Sequence, residues 1–308
     1  MTTDIPTVVL PDGVLLTDGG MGQELRRRGS NNIHPIWSAQ ALIEMPDVVR
    51  ETHWDYIDAG ARLIITNTYS TVRRRLDSNN VPGTFEDLNR LAGQLANEAR
   101  DEAGTDGVLI AGSLPPLAGS YRPENVEPFD DIMPLYAEQA GLLAPYVDLF
   151  ICETMSTAEE ARAAATGAAK TGKPVWVSWT LKDDDSRELR SGETLQNAHA
   201  ALAGLPVSGF LANCSYPESI SAAMADLVAL SDFPAGGYAN GFQHIPDGWS
   251  GADQGVDALG HRHDLTPDAY AQHALAWIET GARVIGGCCE VGPEHIQRLA
   301  ELLAEDIQ

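Results

Sequence analysis

Short apolar runs recur along the chain, each followed by glycine or polar residues and then by a stretch with helical spacing. The runs are VLLTDGG (14–20), ARLIITNTY (61–69), VLIAGS (108–113), VDLFICET (147–154), PVWVSWTL (174–181), VSGFLANCS (207–215), PAGGYANG (234–241) and ARVIGGCC (282–289). Most are rich in Val, Ile, Leu or aromatics, as buried strands require; the run at 234 is the weakest. Between them, PDVVRETHWDYIDAG (46–60), FEDLNRLAGQLANEARDEAG (85–104), STAEEARAAATGAAKTG (156–172) and TPDAYAQHALAWIETG (266–281) read as helices. Their starts carry caps or acidic first turns (Thr266-Pro267-Asp268, Ser156 with Glu159), and glycine closes them at Gly60, Gly104, Gly172 and Gly281.

Strand then helix, eight times over, predicts a parallel sheet closed as a single (β/α)8 TIM barrel with its active site at the C-terminal face. An open doubly wound sheet is the alternative, but no GxGxxG or P-loop follows the first run. The eight runs use the chain from end to end, so one barrel domain is expected over 1–308. Two connections, LPPLAGSYRPENVEPF (114–129) and GFQHIPDGWSGADQGVDALGHRHDL (241–265), exceed the ~12–15 residues beyond which loops are usually functional or disordered. Both follow strands, so both belong to the active-site face. Their aromatics make them less polar than idle insertions.

Composition narrows the partners. Forty-four acidic residues against twenty basic ones give a net charge of −24, which argues against nucleic acid or an anionic membrane surface. MTTDIPTVVLPDG has neither the basic nor the apolar segment of a signal peptide, and no run approaches the ~18 apolar residues of a membrane span. A cytoplasmic location and reduced cysteines are therefore expected. The runs Arg26-Arg27-Arg28 and Arg73-Arg74-Arg75 read as solvated helix faces. Asp183-Asp184-Asp185 and His261-x-His263 read as loop residues rather than metal sites.

The strand ends hold the chemistry: Asp18 on the first, Thr66, Asn67 and Tyr69 on the second, Glu153 on the fourth, Asn213 and Cys214 on the sixth, Cys288 and Cys289 on the eighth. A parallel barrel brings these to one mouth. Three thiolates suit zinc, which prefers tetrahedral coordination; with no good fourth ligand nearby, one position is left for a substrate. Adjacent strand residues point to opposite faces, so Gly286-Gly287 is expected to let the backbone leave strand geometry. Simple burial of the cysteines or a Cys288–Cys289 disulfide are the alternatives. Ligation by thiolates alone favours alkylation of a bound thiol over hydrolysis, because the centre stays electron-rich. Cys152, beside Glu153 but on the opposite face, reads as packing.

TDGGMGQELRRRG (17–29), ITNTY (65–69), ICETMSTAEEA (151–161), ANCS (212–215) and VIGGCCEVGPEHI (284–296) together make the chain resemble the homocysteine S-methyltransferase family of zinc-dependent barrels. The resemblance implies methylation of homocysteine to methionine, with Cys214, Cys288 and Cys289 as Zn2+ ligands and the homocysteine sulfur as the fourth. It implies that Asp18 and Glu153 hold the amino group and that Asn213, with Asn67 more weakly, shapes the substrate pocket. S-Methylmethionine-dependent members carry a GSxGxYGAYLxDGSEY-like stretch after strand three and YPNxGExYD after strand seven. Here GSLPPLAGSYRPENVEP and YANGFQHIPDGW stand instead, so donor recognition is expected to differ. An onium donor could rest on Tyr121, Phe242 or Trp249. S-Methylmethionine or S-adenosylmethionine is favoured, with betaine or another onium compound behind. A selenol acceptor, a zinc hydrolase or lyase, and a non-catalytic zinc or thiol redox sensor remain the alternative readings. No folate or cobalamin module is expected.

Overall fold

Every apolar run expected as a strand is one in the computed structural model, which describes residues 5–30, 36–81, 85–246, 248–249 and 256–305. The strands are β1 (Leu15–Leu16), β2 (Leu63–Ile65), β3 (Leu109–Leu114), β4 (Leu149–Met155), β5 (Val175–Trp179), β6 (Val207–Asn213), β7 (Ala235–Ala239) and β8 (Val284–Gly287). They form one sheet in the order β1-β8-β7-β6-β5-β4-β3-β2, each neighbouring pair parallel. A parallel bridge between Thr17 and Leu63 brings β1 to β2 and closes the circle as a (β/α)8 barrel.

Alternation along the strands divides the core. Leu15, Leu63, Ala111, Leu149, Ile151, Trp176, Leu211, Tyr238 and Val284 fill the barrel interior. The intervening strand residues, such as Ile64, Ile110, Phe150, Val177, Phe210 and Ile285, pack outward against the helices in a second cluster. Strands buried on both faces are apolar almost throughout, which is why the runs stood out in the sequence.

The expected helices span Pro46–Asp58, Phe85–Ala103, Ala158–Ala169 and Pro267–Thr280. Thr266 caps the last by accepting from the Ala269 amide, and Gly281 ends it at φ 117°, a left-handed turn closed at little steric cost only by glycine. The cap expected at Ser156 lies one residue on. Thr157 accepts from the Glu160 amide, while the Glu160 carboxylate accepts from Ser156 N at 3.3 Å. Burial pushes the Glu160 carboxyl up to about 7.

That shift has a testable sign. The folded state holds the Glu160 proton more tightly than the unfolded chain, so this contribution to stability is complete below the ordinary carboxyl value and is lost as pH climbs through about 7. Glu160→Gln should therefore match the parent near pH 4 and exceed it at pH 8 by up to about 3 kcal/mol. Melting midpoints at both values check this, and a pH-independent difference would show that the carboxyl does not titrate.

The two long connections meet over the barrel mouth. The first contains a 3-10 turn at Pro123–Asn125 and the second one at Val256–Leu259; residues 247 and 250–255 lie outside those described. Tyr121 packs on Trp249 with ring centroids 5.8 Å apart, and Arg122 Nη1 donates to the Gly248 carbonyl at 3.2 Å. Phe242, Ile245, Trp249 and Leu259 form a small apolar cluster that also touches Tyr121 and Cys289. Among the described residues, no helix is long and apolar enough to cross a membrane.

Most of the basic residues are held by the acidic excess. Arg27 and Arg28 bind Glu24, Arg28 also binds Asp55, and Asp183 pairs with Arg190 at 2.7 Å. Asp183 therefore departs from the expected solvated triplet, because its neighbour Arg190 folds back onto it and over the Tyr121 ring.

Candidate active site and metal centre

β7 sets the cysteines. Cys214 N donates to the Tyr238 carbonyl at 3.2 Å, Cys288 N to the Ala239 carbonyl at 2.9 Å, and the Cys289 carbonyl accepts from Gly241 N at 2.8 Å. The strand between β6 and β8 thus gathers residues 74 positions apart in sequence. The three sulfurs lie within 4.8 Å of one another, and among the described residues no histidine or carboxylate oxygen joins that cluster. Cys214 and Cys288 are joined as a disulfide with Cα atoms 5.7 Å apart. This differs from the reduced state expected of all four cysteines, and the bonded partner of Cys288 is Cys214 rather than its neighbour Cys289. Sulfurs gathered this closely can share an ion or bond to each other.

The donor set fits zinc. With the Cys214–Cys288 pair reduced it is purely thiol, which selects a soft or borderline ion over magnesium or calcium, and it then offers three protein ligands, the number of an open site. Burial, with help from the Glu290 charge, pushes the Cys289 thiol up to about 12. Cys152 is fully buried in the outer core and takes no part.

Gly286 and Gly287 act differently from expectation. Both remain in β8, and the chain leaves the strand only at Cys288, turning through Glu290 at φ 66°. What the glycines permit is close approach. A Cβ on Gly286 would stand 1.8 Å from Thr17 Oγ1, and one on Gly287 would stand 2.1 Å from Val291 Cγ1. Gly20 does the same from the other side, since its Cβ would meet the Cys288 carbonyl oxygen at 2.6 Å. Bare backbone here lets β1, and with it Asp18, lie directly against the cysteine turn.

Asp18 and Glu153 face the same cavity as the cysteines. Asp18 Oδ2 accepts from Ile65 N at 2.7 Å, clipping β1 to β2, while Oδ1 is buried with no partner. Glu153 accepts from the Ser113 hydroxyl and, at 3.1 Å, from the Tyr238 hydroxyl. It plays no part in capping the following helix. Burial raises both carboxyls, and the Glu153 charge raises Asp18 further. Two coupled buried acids suit a cationic group such as an ammonium.

Asn213, expected among the substrate contacts, does not line the cavity. Its Oδ1 accepts from Thr154 N at 2.8 Å and from Ser178 Oγ at 2.7 Å, and its Nδ2 donates to Thr154 Oγ1 at 2.9 Å. These bonds pin Thr154 at φ 60°, next to Glu153. Cys214 (φ 49°), Tyr121 (φ 63°) and Trp37 (φ 45°) are held in the same sparsely populated region around the mouth, where strain of this kind tends to mark a site. Asn67 lines the cavity, and its Nδ2 donates to the Ser38 carbonyl at 3.1 Å.

Tyr121, Phe242 and Trp249 also line the cavity, and the Arg190 guanidinium stands 5.0 Å from the Tyr121 ring centroid. One face of that ring is thus already taken by a cation. Sequence reading missed Gln23, Trp37 and Arg75, all cavity-lining. Only the DGGMGQ context pointed toward the first of them. The cleft opens to solvent at the barrel mouth.

Similarity agrees with this geometry. A family model described as homocysteine S-methyltransferase matches residues 15–303. The homocysteine S-methyltransferase of Escherichia coli K12 is 34% identical over 306 residues, covering 93% of this chain and 94% of its own. A selenocysteine methyltransferase of Astragalus bisulcatus is 26% identical over 321 residues, covering 93% and 91% respectively. The metallated form of the E. coli homocysteine methyltransferase superposes with a TM-score of 0.79 at 30% identity, covering 94% of this chain and 96% of that one. Its oxidized form gives a TM-score of 0.79 at 29% identity. The family match begins at β1 and reaches the last helix, taking in every strand end that builds the site; the chain belongs to the homocysteine S-methyltransferase family.

Proposed function

We propose that the protein moves a methyl group from a small onium donor to the thiol of homocysteine, giving methionine, with zinc held by Cys214, Cys288 and Cys289. One observation carries this: three sulfurs and two buried, coupled carboxylates face a single cavity. The two sets match the two ends of homocysteine. Asp18 and Glu153 receive its ammonium, with Ser113 and Tyr238 fixing the second carboxylate and Ile65 N the first. The cysteines receive the zinc that, when bound, would turn a substrate thiol into its nucleophilic thiolate near neutral pH.

The chain's remaining work is positional. Anchoring the ammonium directs the acceptor sulfur, and the apolar cluster of Phe242, Ile245, Trp249 and Leu259 shields the mouth from water. In the transfer, a carbon–sulfur bond forms to homocysteine as the donor's carbon–heteroatom bond breaks, and the onium centre leaves neutral. No general base is required beyond the ion. Holding both partners in line supplies the acceleration. A selenol acceptor would use the same contacts.

The Cys214–Cys288 bond favours one second reading, a thiol redox response in which oxidation removes two of the three metal donors. An anaerobic assay separates the two. Reduced, zinc-loaded protein with homocysteine or selenohomocysteine and a panel of sulfonium and betaine donors should yield the methylated product by mass spectrometry. Zinc near one per chain with no product from any donor would favour the redox reading.

A further inference from the structure

The buried stripe of the Pro267–Thr280 helix is Tyr270, Ala271, Ala274 and Trp277. Residues at this spacing usually do no more than pack a helix on its sheet. The Tyr270 ring does that: it is fully buried and meets Trp277 and His295 edge-on, with centroids 6.2 and 5.9 Å away. Its hydroxyl does something else. It accepts from Ala239 N at 3.0 Å and donates to the Gly286 carbonyl at 2.6 Å, so it straddles the seam between β7 and β8. Burial raises the phenol's pKa, so the hydroxyl keeps the proton that it donates.

That seam carries the cysteines. Ala239 N and the Tyr238 carbonyl belong to one peptide group, and the carbonyl accepts from Cys214 N at 3.2 Å. The Gly286 carbonyl and Gly287 N belong to another, and this amide donates to the Asp18 carbonyl at 3.0 Å. The next carbonyl of β7, that of Ala239, accepts from Cys288 N at 2.9 Å and lies 3.5 Å from the same hydroxyl. A hydroxyl on an outer helix therefore joins the peptide group that holds Cys214 on β6 to the one that holds Asp18 on β1, beside the bond that holds Cys288. Resting on the reading of the three cysteines as a zinc centre, we propose that Tyr270 is a positioning residue for the metal ligands: its hydroxyl, acting through the Tyr238–Ala239 and Gly286–Gly287 peptides, fixes where Cys214 and Cys288 present their sulfurs. The peptide group is a rigid plane, so holding its N–H holds the carbonyl on the far side. Groups that orient a ligand in this way tune a metal centre without touching the ion or the substrate.

Tyr270→Phe removes the hydroxyl and keeps the ring. Zinc affinity of the reduced protein, measured by competition with a chromophoric chelator, should fall about 10- to 100-fold, the usual cost of losing a group that orients a metal ligand. With Co2+ in place of zinc, the thiolate-to-metal absorption band should shift or weaken, a signature that lost stability alone does not move. Ser221→Ala is the control, since it removes the hydroxyl that accepts from Trp277 Nε1 at 2.7 Å. It should lower the melting midpoint while zinc affinity and the Co2+ spectrum hold. The parent supplies an arm that needs no variant. Because coupling is reciprocal, zinc loading should slow hydrogen exchange of the Ala239 amide about tenfold or more. The Ile110 amide on β3, opposite β7 in the ring, should not respond. A Phe variant with parental zinc affinity and Co2+ spectrum overturns the assignment, whatever its melting midpoint. An equal loss of zinc affinity in Ser221→Ala, or an Ala239 amide indifferent to zinc, overturns it as well. A parent that takes up no zinc ends the metal centre and the assignment with it. A parent that shows the Tyr270 effect on zinc but methylates homocysteine from no donor sinks the transfer reading and leaves the role of Tyr270 standing.

Discussion

Cys289→Ala is expected to lose both metal and turnover. Zinc measured by mass spectrometry after anaerobic loading should fall from about one ion per chain to near zero, and methyl transfer should fall at least about a thousandfold. The reason is the ligand count. The cluster offers three sulfurs and, among the described residues, no fourth protein ligand in reserve, so losing one leaves a pair that cannot hold a tetrahedral ion against solvent. Cys289 sits partly buried in a turn rather than in the barrel wall, so the variant should fold, and an unchanged melting curve of the metal-free protein would confirm it. Cys152→Ala is the control. Its thiol is fully buried among outer-core residues, so it should cost some stability and leave zinc and activity intact. Retained zinc with retained turnover in Cys289→Ala would remove that residue from the metal centre.

The second large effect is expected at the carboxylates. Asp18→Asn and Glu153→Gln each remove one charge facing a buried ammonium, a loss of about 2–5 kcal/mol. That corresponds to an increase of about 30- to 5,000-fold in the homocysteine KM, with donor KM and zinc content unchanged. The pH dependence has a definite direction. Burial raises both carboxyls, and each must be ionised to hold the cation. The homocysteine KM should therefore fall as pH rises through the raised values, and binding should release protons to the buffer. Tyr238→Phe removes a hydroxyl that donates to Glu153 at 3.1 Å and lowers its pKa. That variant should shift the same profile to higher pH. A homocysteine KM indifferent to either substitution would place the ammonium elsewhere.

The site was unevenly legible in the sequence. Asp18, Glu153 and the cysteines stood out because chemically unusual residues ended apolar runs, and a parallel barrel sends all strand ends to one mouth. Asn213 stood at such an end too, yet its amide is consumed in holding Thr154 in a strained conformation. Position indicated its importance but could not distinguish contact with substrate from support of a neighbour. The glycines before the cysteine pair misled for a related reason. Their function is the space they leave for Thr17, distant in sequence, and for Val291, which the turn after the strand folds back onto Gly287.

Arg75 was invisible for a geometric reason. Successive helical residues point about 100° apart, so three consecutive arginines on Arg73–Ser78 face three directions. Six residues are too few to reveal which direction is inward. Gln23 and Trp37 likewise lie outside the repeated strand-end position and gave little signal.

By itself the sequence determined the eightfold alternation, the helix stops, and the kind of chemistry gathered at the strand ends, because these depend on residue type and local spacing. Only the tertiary structure decided which sulfurs meet, which polar groups are spent on the scaffold, and which cation turns toward the cavity. Those outcomes depend on register between β6, β7 and β8 and on helix rotation. Both are fixed by packing among residues far apart in the chain, where local pattern carries no information.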